Sequence, residues 1–93
     1  MTLDSPPPVS VLICTKNEER NLGACLESVS WANEVVVLDS YSDDQTINIA
    51  RQMGARVVQR EFTNFSAHKN WALDKVDFAN QWILIVDADE RVS

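Results

Sequence analysis

The chain has 93 residues, 45% of them hydrophobic and 24% charged, which suits one small globular domain and excludes a two-domain enzyme. Asp and Glu number 14 against 8 Lys and Arg, a formal charge of −6, and the basic residues are scattered, which argues against a nucleic-acid partner. No apolar run approaches the roughly 18–20 residues that cross a bilayer and no basic-then-apolar leader opens the sequence, so a cytoplasmic protein is expected.

Residues 1–8 end in Pro6-Pro7-Pro8 and are expected to form a loose, extended tail. From Val9 onward short apolar runs alternate with longer amphipathic ones, the pattern of an α/β unit. Val9-Ser10-Val11-Leu12-Ile13-Cys14 predicts the first strand. Thr15-Lys16-Asn17-Glu18 follows with the spacing of a capping box, which predicts a helix beginning there. Leu22, Cys25, Leu26 and Val29 form its inward stripe. Neither Cys14 nor Cys25 has a C-x-x-C partner, so both are expected to pack as small hydrophobes rather than serve metal or redox chemistry.

Val35-Val36-Val37-Leu38 predicts a second strand ending at Asp39. Ser42-Asp43-Asp44-Gln45 offers a cap for the next helix, from which Ile49 and Met53 face the sheet before Gly54 closes it. Residues 56–60 carry a charge at each end, as a protected edge strand does. Asn64 or Ser66 can cap a third helix with Ala72, Val76 and Ala79 inward, and Trp82-Ile83-Leu84-Ile85-Val86 is apolar on both faces, which predicts a central strand. The order β-α-β-α-β-α-β implies a parallel sheet with helices on both faces, a Rossmann-like three-layer sandwich. Ligands of such sheets sit beyond the carboxyl ends of the strands.

Carboxylates dominate those ends. Asp87 and Asp89 are two residues apart, which in extended chain puts their Cα atoms about 7 Å apart on one side, with a repulsion of about 2–3 kcal/mol at an effective dielectric near 20. A hard divalent cation, Mg²⁺ or Mn²⁺, would relieve it, with water and substrate phosphate completing the shell; a plain polar turn is the other reading. Asp39 could accept hydrogen bonds from a base or ribose, or hold a turn. Ser42, Asp44 and Thr46 suit helix starts, while Glu18 could close the capping box or overlook the cleft. Lys69 and Asn70 lie early in the third helix, where a cation could meet phosphate or a base carbonyl. His68, the sole histidine, is expected on the surface, and Trp31, Trp71 and Trp82 are expected to pack first. Gly23 and Gly54 do not follow strands, which argues against dinucleotide and P-loop sites, and one histidine leaves no Ser-His-Asp arrangement.

Four blocks carry a family resemblance: Val9 to Glu19, Val36 to Thr46, Ala67-His68-Lys69-Asn70, and Val86-Asp87-Ala88-Asp89-Glu90. In this order they resemble the nucleotide-sugar-binding half of family-two glycosyltransferases, in wording nearest the branch that glucosylates the lipopolysaccharide core. The resemblance implies a GT-A fold that binds a UDP-sugar with Mg²⁺ or Mn²⁺ and transfers the sugar, glucose in that branch, with inversion. Thr15, Lys16, Asn17 and Glu18 would line the uridine pocket and Asp39 would accept from uracil. Lys69 would lie near the base, Asp87 would approach ribose or metal, Ala88 would pass its backbone close to the nucleotide, and Asp89 would hold the metal. Lys16 stands where the family often has an aromatic residue, and Cys14 where it often has proline.

Family members continue past the Asp-x-Asp into an acceptor-binding half that supplies the catalytic base. Residues 9–93 are therefore expected to be a donor-binding fragment, inactive alone, with the base unassigned and Glu90 its nearest candidate. The acceptor, a glycan or lipid-linked sugar, would dock on the missing half, and peripheral membrane association of the parent and a homodimer of the fragment are further expectations. The alternatives are a receiver-like signalling module with an acidic metal site, which would need an acidic pair after the first strand, and a nucleotidyltransferase, which would need a glycine-rich basic loop there.

Overall fold

The computed structural model describes residues 8–89; the predicted tail apart from Pro8, and residues 90–93 with Glu90 among them, lie outside the described residues. Strands β1 (Val9–Thr15), β2 (Glu34–Asp39), β3 (Arg56–Gln59) and β4 (Trp82–Asp87) alternate with helices α1 (Leu22–Ser28), α2 (Thr46–Gln52) and α3 (Phe65–Lys75). All strand pairs are parallel, in the order β3-β2-β1-β4.

The two-residue period of the strands divides the core into two layers. Val11, Ile13, Val37 and Val86 pack with Leu22, Cys25 and Leu26 of α1, its C-terminal cap Val29, and Ala50 of α2. On the other face Leu12, Val36 and Leu38 meet Ala72 of α3 and its C-terminal cap Val76. This is the expected three-layer sandwich. The middle of β1 is completely buried at Val11, Leu12 and Ile13, each such side chain contributing about 1.5–3 kcal/mol. Neither cysteine forms a disulfide, and Cys25 belongs to the core as expected.

Several expectations are corrected. Thr15 completes β1 rather than capping α1, which begins only at Leu22. The strand has first use of Thr15, because its hydroxyl bonds across to Asp39. β4 pairs with β1 alone among the described strands and is an edge, with Trp82 72% exposed; apolar residues on both faces follow from its composition, not from a central position. Met53 is exposed and Ala50 takes its inward place. Ala79 is exposed and lies past the end of α3.

Candidate functional site

Strand register assembles the site. Thr15 pairs with Asp39, Asp39 with Gln59, and Cys14 with Asp87, so Asp39 and Asp87 leave the sheet at one rim. The loops leaving β1 and β2 there are tied together. Lys16 Nζ donates to the Tyr41 carbonyl at 2.8 Å, and the Asn17 N–H donates to Ser42 Oγ at 2.8 Å. The Asp43 N–H donates to Asn17 Oδ1 and the Glu18 N–H to Thr46 Oγ1, both at 2.8 Å. Asn17 and Tyr41 take left-handed backbone angles, φ 53° and 54°, a conformation asparagine tolerates better than most residues.

Asp39 is fully buried and organises this corner. Its Oδ1 accepts from Thr15 Oγ1 at 2.6 Å and from Ser42 Oγ at 2.5 Å, and its Oδ2 accepts from the Ser42 N–H at 2.8 Å. Ser42 is thus a partner of Asp39, while the α2 start falls to Asp44, whose Oδ1 accepts from the Thr46 N–H at 2.9 Å.

Beyond the rim opens a cleft of about 720 Å³. Cys14, Thr15, Lys16 and Glu18 line one side, and Ser40, Tyr41, Glu61, Phe62, Phe65 and His68 the other. Of the residues expected to bind nucleotide, Thr15, Lys16 and Glu18 are therefore on its wall. Asp39 stands one hydrogen bond behind Thr15, Asn17 is in the tied loop, and Lys69 Nζ lies 5.8 Å from the centre of the Phe65 ring. Asp87 is exposed on the rim and Ala88 is buried. Burial pushes the Cys14 thiol above its ordinary value, with Lys69 lowering and Asp87 raising it.

His68 is 1% exposed, contrary to the surface position expected. Its Nδ1 is 3.1 Å from Arg60 Nη1 and its Nε2 is 3.3 Å from Ser40 Oγ. The Arg60 guanidinium also stacks on Trp71, 5.5 Å from the ring centre. Burial first, and the Arg60 charge second, push the imidazole below its ordinary value. Phe62 meets both Phe65 and His68 edge to face, at 5.3 and 5.4 Å between ring centres. Ser40, Tyr41, Glu61, Phe62 and Phe65 were not foreseen as site residues. The signal was the strand-tip rule itself, which applies to the tip of β3 as well as to the other three.

Among the described residues no three His, Cys, Asp or Glu side chains cluster closely enough to hold a metal ion by themselves. Asp87 and Asp89 are both exposed at the rim, and two hard oxygen donors suit Mg²⁺ or Mn²⁺ when water and a phosphate-bearing ligand complete the shell.

Residues 10–93 match the model of Glycosyl transferase family 2. An uncharacterized glycosyltransferase of Rickettsia bellii is 40% identical over 86 residues, covering 91% of this chain and 29% of that protein. The lipopolysaccharide core biosynthesis glycosyltransferase LpsC of Rhizobium meliloti is 31% identical over 90 residues, covering 91% of this chain and 33% of its own length. The chain therefore spans about a third of the curated relatives it matches. Glucosyl-3-phosphoglycerate synthase of Mycobacterium tuberculosis, solved with Mn²⁺, UDP and glucosyl-3-phosphoglycerate, is similar in structure with a TM-score of 0.71 at 25% identity, covering 86% of this chain and 33% of that one. The same enzyme with UDP gives a TM-score of 0.73 at 26% identity, over 88% of this chain and 34% of that one. The parallel sheet with its layered helices is thus of the GT-A type, and by its match over residues 10–93 the chain belongs to glycosyl transferase family 2.

Proposed function

We propose that this chain is the donor-binding part of an inverting, metal-dependent glycosyltransferase that takes sugar, glucose in the first instance, from a UDP-sugar to a glycan or lipopolysaccharide-core acceptor. The observation that carries this reading is one rim that holds both a cleft of about 720 Å³ and the exposed carboxylates Asp87 and Asp89. That volume lies in the range of sites that enclose small ligands. Mn²⁺ and UDP in the structurally similar synthase, and the lipopolysaccharide role of the Rhizobium relative, support the donor and acceptor classes.

In this reading Thr15, Lys16, Asn17 and Glu18 shape the nucleoside side of the cleft, while Asp39, buried behind Thr15 with both oxygens bonded, fixes that wall instead of accepting from the uracil ring as the resemblance implies. Lys69 stands near the base, Asp87 serves ribose or metal, Ala88 lets the backbone approach the nucleotide, and Asp89 holds the metal beside the diphosphate. Bound Mg²⁺ or Mn²⁺ would neutralise the negative charge that builds on departing UDP. Acceptor binding and the catalytic base fall to other parts of the parent protein, which would meet a lipid-linked acceptor at the membrane surface. Among the described residues no helix is long and apolar enough to cross a membrane.

Calorimetric titration with UDP and UDP-glucose, with and without Mn²⁺, tests this. Weak binding that requires Mn²⁺ and disappears in EDTA and in Asp89→Ala is expected. Equal binding by that variant without metal would remove the metal role, and no UDP binding under any condition would remove the donor-site reading.

A further inference from the structure

The polarity of the hydrogen bonds behind the cleft is set by arginine. Arg60 has only donors to offer, so its Nη1, 3.1 Å from His68 Nδ1, donates and Nδ1 must accept. The ring proton of the neutral imidazole is then on Nε2, which donates to Ser40 Oγ at 3.3 Å. Ser40 Oγ thus receives a hydrogen bond from behind, and its own hydroxyl proton needs an acceptor elsewhere. Ser40 lines the cleft and is only 7% exposed, so that proton faces a site from which a bound ligand would exclude water.

A serine hydroxyl ordinarily rotates to donate or accept as its partner requires. Here Arg60 and His68 remove that freedom, and Trp71 under Arg60 holds the origin of the relay. A donor of fixed sense discriminates only between ligands that differ in sense at the same atom. Pyrimidine bases do so at C4, where uracil bears a carbonyl and cytosine an amino group. The rings of Tyr41, Phe62 and Phe65 beside Ser40 suit a flat base better than a charged diphosphate.

We infer that Ser40 is a specificity-determining residue that donates a hydrogen bond to the 4-carbonyl of uracil, with His68 and Arg60 as the positioning residues that hold it in the donor sense. The inference rests on the donor-site reading and adds to it the choice of base. A buried residue built this way favours uridine over cytidine nucleotides, because cytosine sets its amino donor against the Ser40 donor.

The test compares UDP with CDP, each with Mn²⁺, on the unmodified chain, Ser40→Ala and Ser40→Thr. The unmodified chain is expected to prefer UDP; Ser40→Ala should narrow that preference by about three- to tenfold, the effect of one neutral hydrogen bond, while Ser40→Thr restores it. Because His68 is the only histidine, a ¹⁵N spectrum of the imidazole reports one ring, expected neutral with its proton on Nε2 at neutral pH. An unchanged UDP to CDP ratio in Ser40→Ala, or a ring protonated on Nδ1, overturns the inference while UDP binding stands. Failure of the unmodified chain to bind UDP overturns the donor-site reading, and this inference with it.

Discussion

A carboxylate with no exposed surface is costly to hold unless its oxygens are bonded, and Asp39 satisfies that condition through Thr15 and Ser42. Asp89 is exposed at the same rim, so one acid shapes the corner while the other is open to a ligand. Their type and strand-tip positions were readable from sequence; that Thr15 would spend its hydroxyl on Asp39 was not, because the bond spans two strands. The burial of His68 is hidden from the sequence for a similar reason, since it depends on Ser40 at the tip of β2 and Arg60 at the tip of β3, which the fold brings against one ring. This burial predicts a pH dependence. The pKa of His68 lies below its ordinary value of 6.5 in the folded chain, so near that pH the unfolded chain binds the proton more readily. The stability linked to this group is therefore complete above about pH 6.5 and declines as pH falls toward the lower folded value. Urea unfolding between pH 7.5 and 5 should show stability decreasing with acidification, and His68→Gln should flatten that slope whatever its effect on stability at pH 7.5. A slope unchanged in the variant would contradict the neutral, buried imidazole.

At the scale of elements, α1 and α2 have seven residues each, well short of the roughly 12–15 at which isolated helices become marginally stable. They persist because Leu22, Cys25, Leu26 and Ala50 pack on the sheet and because their leading loops bond to each other. The inward stripe of α1 was correct in the sequence pattern, since packing follows the helical period; its start was not, because a Thr-x-x-Glu spacing looks the same in a strand-to-loop turn. The eleven-residue α3 has a true cap. Asn64 Oδ1 accepts from the Ala67 N–H at 2.8 Å, which decides between the two caps that the sequence offered. Asn64→Ala is accordingly expected to lower stability by about 1 kcal/mol, and exposed Ser66→Ala to change it by no more than about 0.5 kcal/mol, as measured by chemical denaturation. Equal losses would mean that Asn64 does not govern the helix start. Because α3 places Phe65 and His68 on the cleft, the Asn64 variant should also loosen the ligand site.

At the largest scale the described residues form a four-stranded sheet whose middle is dry and whose β4 edge is not, with Trp82 72% and Leu84 37% exposed. Strand number, direction and order of helices followed from the alternation of apolar runs; lateral order did not, since a buried β1 and an edge β4 are equally apolar in sequence. Family membership displaces the receiver-like alternative. A domain of this size hides about 60–65% of the surface its unfolded chain exposes, so its intrinsic stability is modest and ligand linkage should be prominent. A ligand at a hundred times its dissociation constant adds about 2.7 kcal/mol, and in a domain of this length each kcal/mol moves the midpoint by about 4–8 °C. UDP with Mn²⁺ at that saturation should therefore raise the thermal midpoint by about 10–20 °C. EDTA should abolish the rise, and Asp89→Ala should lose it while melting, without ligand, close to the unmodified chain, because its side chain is exposed. A rise that survives both EDTA and Asp89→Ala would detach the nucleotide from the rim carboxylates and leave the cleft as a metal-independent pocket.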